Sequence, residues 1–171
     1  MQNRDKTVRR IALTAITAAI YVVFTAPMLI PIPAYGPVQY RIAEVLNLLV
    51  FFNPVFAPGV VFGVFLSNLL SPYGVLDVTI GTSATFLAVI FIRNSKNLFL
   101  ASLFPIIFSG PLVGLLITLA STESPRLLST FLVWTGWVSI GQTAVMVFTA
   151  FPLFLILQKK YPKFIEMIER V

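Results

Sequence analysis

The sequence predicts an all-α integral membrane protein, a bundle of six transmembrane helices with both termini cytoplasmic. Three observations lead there. Of 171 residues, 58% are hydrophobic and only 11% charged, whereas soluble domains average about 45–50% apolar and about 25% charged. The apolar residues fall in runs near the roughly 20 residues that cross a bilayer as a helix, which leaves room for about six spans with short loops. The basic residues collect on alternate connections. A single membrane-embedded domain covering residues 1–171 follows, with no length left for a soluble catalytic domain.

Met1 to Arg10 is polar and basic, and Ile11 opens an apolar run expected to reach about Ile30. The run is longer than a signal-peptide core and further spans follow it, so it reads as a retained membrane helix. Ala12, Ala15 and Ala19 lie on one stripe of that helix. Small residues four apart let another helix approach closely, because lipid provides no hydrophobic drive and packing must supply the association. Ordinary internal packing is the plainer use of the same stripe. Ile30 to Val38 carries Pro31, Pro33 and Pro37. Proline blocks helical turns and restricts its predecessor, so this is a stiff, uncharged loop suited to covering a cavity.

A second helix begins in the polar cluster Gln39-Tyr40-Arg41-Ile42-Ala43-Glu44, with Asn47 a turn later, and runs to about Phe52. Asn53-Pro54 and Pro58-Gly59 are expected to break the chain before a third helix from about Val60 to Leu70. Gly59 and Gly63 give that helix a close-packing face, and Asn68 lies near its end, before the turn Ser71-Pro72-Tyr73-Gly74. Asp77 opens a fourth helix to about Ile92, where a carboxylate suits free N–H groups and the helix dipole. Gly81 to Thr85 gives it a small, polar first half. In the fifth helix, about Leu98 to Leu119, Pro105 and Ser109-Gly110-Pro111 are expected to interrupt the middle. Irregular backbone at that depth is tolerated only where protein or a cavity lines it. A loop with Glu123 and Arg126 leads to the last apolar stretch, about Leu127 to Leu157, which holds Trp134, Trp137, Gly141 and Gln142.

The net charge of +6 follows from topology. With a cytoplasmic amino terminus, Arg4, Lys6, Arg9, Arg10, Arg93, Lys96, Lys159, Lys160, Lys163 and Arg170 all lie inside, and only Arg41 and Arg126 lie outside. That is the positive-inside pattern, and it removes the need for a nucleic-acid partner. The chain has no cysteine and no histidine. Disulfides, thiolate sites and histidine-based catalysis or metal binding are therefore excluded. No catalytic residue, metal or cofactor is expected, and the chain does not read as an enzyme.

Depths assigned by this topology bring the polar residues together. Gln39, Arg41 and Glu44 fall at the outer end of the second helix, Asn68 and Tyr73 at the outer end of the third, and Asp77 at the outer start of the fourth. Ser109 and Gln142 come out near the middle of the fifth and sixth helices, with Trp134 above Gln142. An outward-facing pocket for a small-molecule substrate would collect all of these. Plainer roles exist: an Arg41–Glu44 pair, Asp77 as a helix cap, and Tyr73 and the tryptophans as an interfacial belt.

Three stretches resemble a known family. Tyr40-Arg41-Ile42-Ala43-Glu44-Val45-Leu46, then Gly63-x-x-x-Ser67-Asn68-Leu69-Leu70, then Gly74-Val75-Leu76-Asp77-Val78-x-x-Gly81-Thr82-x-Ala84-Thr85 are similar to the queuosine-precursor S-components of energy-coupling factor (ECF) transporters. The resemblance implies a prokaryotic plasma-membrane protein that captures a 7-deazaguanine precursor outside the cell. Its partners would be membrane lipid, a transmembrane coupling subunit docked on Ala12, Ala15 and Ala19, and two cytoplasmic ATPases. This chain has no Walker motif to hydrolyse ATP itself. Glu44 or Asp77 would read the N–H edge of the base, Arg41, Asn68, Ser109 and Gln142 would add hydrogen bonds, and Trp134 or Tyr73 would stack. Ser109 and Gln142 depart from the family pattern, which has an asparagine and a glutamate there, so the ligand would be a related deazapurine rather than an aminomethyl cation. An S-component for another vitamin-like solute, or a stand-alone small transporter, stays open on the residues alone.

Overall fold

The computed structural model describes residues 2–26, 35, 38–121 and 127–170. Among these every regular element is a helix and there are no strands. Most of the proline-rich loop, together with Glu123 and Arg126, lies outside the described residues.

Helix α1, Gln2–Thr25, is 24 residues long, so the basic amino-terminal segment is helical too. It stops short of the expected Ile30. Pro27 follows closely, and the residue before a proline is driven out of the helical region. Helix α2 covers Ile42–Phe52, but Ile42–Leu48 winds as a 3₁₀ helix before Leu49–Phe52 becomes α-helical. At about 2.0 and 1.5 Å per residue these pieces span about 20 Å, less than a full hydrocarbon core of about 30 Å. Asn53 then accepts a hydrogen bond from Val55 N at 3.0 Å and starts α3, Pro54–Asn68. Pro58 does not break it. Pro58 lies in the first turn of the α-helical part, where its missing N–H has no partner to lose.

Helix α4 begins with a π-helical turn, Asp77–Gly81, and continues as Thr82–Arg93. Before it the chain turns at Gly74, whose φ of +56° favours glycine. Helix α5, Leu98–Ala120, is continuous through Pro105 and Pro111, against expectation. Neighbouring helices and side chains can re-satisfy the backbone groups a proline frees inside a membrane bundle, and α5 is packed between α4 and α6. Helix α6 runs from Leu127 to Lys160, with a π-helical segment at Met146–Ala150. Pro152 lies just beyond that segment, and the wider turn relieves the clash of its ring with the preceding turn. Helix α7, Pro162–Glu169, buries Ile165 and Ile168 and is held by Asn53, whose Nδ2 donates to Ile168 O at 2.9 Å. No feature of the tail's mixed charges pointed to it.

Among the described residues, three helical stretches are long and apolar enough to cross a membrane alone: Lys6–Thr25, Leu98–Ala120 and Leu127–Lys160. The packing is set by small residues. A Cβ on Gly59 would lie 2.7 Å from Thr17 Cβ, and one on Gly63 2.6 Å from Tyr21 Cβ, so α1 and α3 lie in parallel at close approach. Gly110 and Gly114 meet Ser139 and Thr135 in descending order, so α5 and α6 are antiparallel. The α1 face that meets α3 is thus Thr14, Thr17, Ala18 and Tyr21. Ala12, Ala15 and Ala19 are left exposed, so the alanine stripe is not spent on internal packing.

Candidate binding site

The site begins with the winding of α2. A 3₁₀ helix has three residues per turn, so side chains at i and i+3 eclipse one another. Glu44 and Asn47 therefore lie one above the other, where an α-helix would have splayed them, and Arg41 immediately precedes them as the N-cap. Gln39, just before Arg41, rests its backbone on α6: a Cβ at Gly141 would lie 2.9 Å from Gln39 O. Gly141 is about 21 Å along α6 from Leu127 at 1.5 Å per residue. The cluster is thus packed inside the bundle against the middle of the Leu127–Lys160 helix. Gln39, Arg41, Glu44, Asn68, Asp77 and Gln142 are all at most 2% exposed.

The partners differ from the plain alternatives. Arg41 Nη2 donates to Asp77 Oδ2 at 3.0 Å, an ion pair between α2 and α4. Arg41 does not pair with Glu44, and Asp77 does not cap its helix. The π turn turns Asp77 inward instead, and Gly81 makes the space: a Cβ there would run into Asp77 Oδ1. The Arg41 guanidinium also stacks over the Tyr35 ring, 5.1 Å from its centre. Tyr35 in turn donates to Ser67 O at 2.6 Å. Burial, the largest influence, raises the Tyr35 phenol above its ordinary range, so it remains a neutral donor. Asn68 Nδ2 donates to Asp77 O at 2.9 Å and to Thr82 Oγ1 at 3.3 Å.

Glu44 has a separate set of partners. Tyr21 of α1 donates to its Oε1 at 2.9 Å, and Asn47 donates to its Oε2. Tyr21, Tyr35, Asn47 and Ser67 were not among the expected site residues. Asn47 follows Glu44 at the three-residue spacing that a 3₁₀ helix eclipses. Tyr21 looks like any aromatic in an apolar helix. Tyr21→Phe keeps the ring and removes the donor, leaving a buried carboxylate oxygen short of one hydrogen bond. The expected cost is about 1–3 kcal/mol, read as a lowered midpoint in thermal unfolding of the detergent-solubilised chain.

Trp134 and Tyr73 pack with Leu76 and Ile80 against Val113, Leu116, Ile117 and Val138. Burial, then Asp77, raises the Tyr73 phenol. Trp137 is 47% exposed, so of the two tryptophans only Trp134 turns inward. Ser109 and Gln142 are buried on α5 and α6, but no hydrogen bond ties either to the ion pair among the described residues. Several buried polar atoms of these helices have no hydrogen-bond partner among the described residues. They include the acceptors Asp77 Oδ1, Asn68 Oδ1, Asn47 Oδ1 and Gln142 Oε1 and the donors Gln39 Nε2 and Trp134 Nε1. A buried polar group without a hydrogen bond costs about 1–3 kcal/mol, so each of these atoms gains from a polar partner.

A helical membrane protein that buries an ion pair and unpartnered donors and acceptors among its helices is built to handle a polar solute in the bilayer. The chain belongs to the QueT transporter family, whose sequence profile matches residues 11–159. It is also 39% identical over 75 residues to the "Queuosine precursor transporter QueT" of Lactococcus lactis subsp. cremoris (strain MG1363), a match covering 44% of each chain. No solved structure matches the chain significantly.

Proposed function

We propose that the chain is the substrate-binding S-component of an ECF-type importer. It takes up a queuosine precursor, a 7-deazaguanine base or related deazapurine, across a prokaryotic plasma membrane. The carrying observation is the buried Arg41–Asp77 pair, whose second carboxylate oxygen, Asp77 Oδ1, is an acceptor with no hydrogen bond among the described residues. A guanine-like edge offers N–H donors to a carboxylate, and its exocyclic oxygen accepts from arginine. Asp77 suits the reading role better than Glu44, because both Glu44 oxygens already accept from Tyr21 and Asn47. Asn68, Ser109 and Gln142 add hydrogen bonds, and Trp134 or Tyr73 stacks on the flat ring for about 1–3 kcal/mol. A neutral amide at Gln142 favours a base without a cationic side arm. The matched relative is named for a queuosine precursor, which supports the same ligand class.

In this reading the single domain crosses six times with both termini cytoplasmic. The parallel contact of α1 with α3 and the antiparallel contact of α5 with α6 support that alternation. The exposed stripe Ala12, Ala15 and Ala19 docks the coupling subunit, and two ATPase subunits drive uptake. The test is the mass of the small molecule that co-purifies with the chain, followed by titration with 7-deazaguanine and its aminomethyl derivative. A deazapurine mass and tighter binding of the neutral base are expected. In liposomes the chain alone should bind but not accumulate ligand. A co-purified solute of another class, or uptake by the chain alone, would overturn the reading.

A further inference from the structure

Away from the polar cluster, α1, α3 and α4 enclose an open groove of about 690 Å³ on the outside of the bundle. Its walls are Phe62, Phe65, Phe86 and Ile90, each between 37% and 51% exposed, with Thr14 on the α1 side and Arg93 at one end. We propose that this groove binds one anionic phospholipid from the leaflet on the amino-terminal side.

Length and charge both argue for that occupant. The groove follows α4 from Thr82 to Arg93, 12 residues, or about 18 Å at 1.5 Å per residue. One leaflet of a hydrocarbon core about 30 Å thick is about 15 Å deep, so the aromatic walls match acyl chains and Arg93 falls at headgroup level. Arg93 is exposed and takes part in neither described ion pair. Arg10, exposed on α1, lies one helical turn before Thr14 on the same face, and Lys96 is exposed just beyond α4. Guanidinium groups bind phosphate oxygens bidentately, and basic pockets between membrane helices on the cytoplasmic side suit anionic headgroups. An apolar slot of leaflet length closed by unpaired cationic side chains is complementary to such a lipid. At its other end the groove reaches Thr82, whose hydroxyl accepts from Asn68.

The test is native mass spectrometry of the purified full chain after exchange into an equimolar mixture of phosphatidylglycerol and phosphatidylcholine with identical acyl chains. One retained phosphatidylglycerol per chain is expected, in clear excess over phosphatidylcholine. R93Q should lower its retention about fivefold, the effect of one basic side chain near an anionic headgroup. R10Q/R93Q should lower it further, and R93K should keep most of it. The arginines are surface residues, and unchanged thermal midpoints in lipid-free detergent would show that the variants are folded. Equal retention of the two lipids by the native chain, or retention by R93Q matching the native chain, would overturn the proposal.

Discussion

Asp77→Asn is expected to lower the thermal midpoint sharply and to abolish tight ligand capture. The carboxylate is fully buried and answers the Arg41 charge at 3.0 Å. Removing one partner leaves an uncompensated buried charge, which typically costs 3–5 kcal/mol, far more than the net worth of the intact pair. Arg41→Gln should be destabilising for the converse reason. The double variant Arg41→Gln/Asp77→Asn is the informative one. With both charges gone, its loss should be smaller than the sum of the single losses, with a coupling of about 0.5–3 kcal/mol. Thermal unfolding of the four proteins in one detergent measures the stability cycle, and equilibrium titration with 7-deazaguanine measures capture. Ligand affinity should not recover in the double variant, because the groups proposed to read the base are then both neutral. Strictly additive single losses would refute the pairing as an energetic unit.

The second large effect is expected at a residue that touches no charge. Gly63→Ala places a methyl group 2.6 Å from Tyr21 Cβ and 3.1 Å from Ala18 Cα, closer than packed carbon atoms come. Helix α1 must move, and overpacking of this kind costs about 1–3 kcal/mol. The shift also draws the Tyr21 hydroxyl off Glu44, so affinity should fall together with stability. Gly136→Ala is the control, since its new methyl group meets nothing within 4 Å. Surface substitutions of that kind usually stay within about 0.5 kcal/mol. Circular-dichroism melts in detergent and ligand titrations compare the pair. Equal behaviour of the two alanine variants would mean that the α1–α3 contact does not support the site.

Much of the molecule was legible before any coordinates. Composition and apolar run length identify a helical membrane protein, since the bilayer imposes the same length and hydrogen-bonding demands on any chain. The cost of charge in lipid singled out Arg41, Glu44 and Asp77 by residue type alone. Prolines were read less well. Pro58, Pro105 and Pro111 were expected to break helices and do not, because their effect depends on neighbours that re-satisfy the backbone. Local grounds leave Asp77 open between a helix cap and a ligand contact, and a partner 36 residues away removes the cap.

What the sequence determined by itself was therefore the solvent in which the chain folds and the identity of its costly groups, both consequences of residue type. Who pairs with whom was decided only in three dimensions. The 3₁₀ winding aligns Glu44 and Asn47, and the π turn aims Asp77 at Arg41. Gly141 lets Gln39 sink against α6, and Gly63 brings Tyr21 of α1 close beside α3. These features arise where helices press on one another, and a local pattern carries no record of that contact.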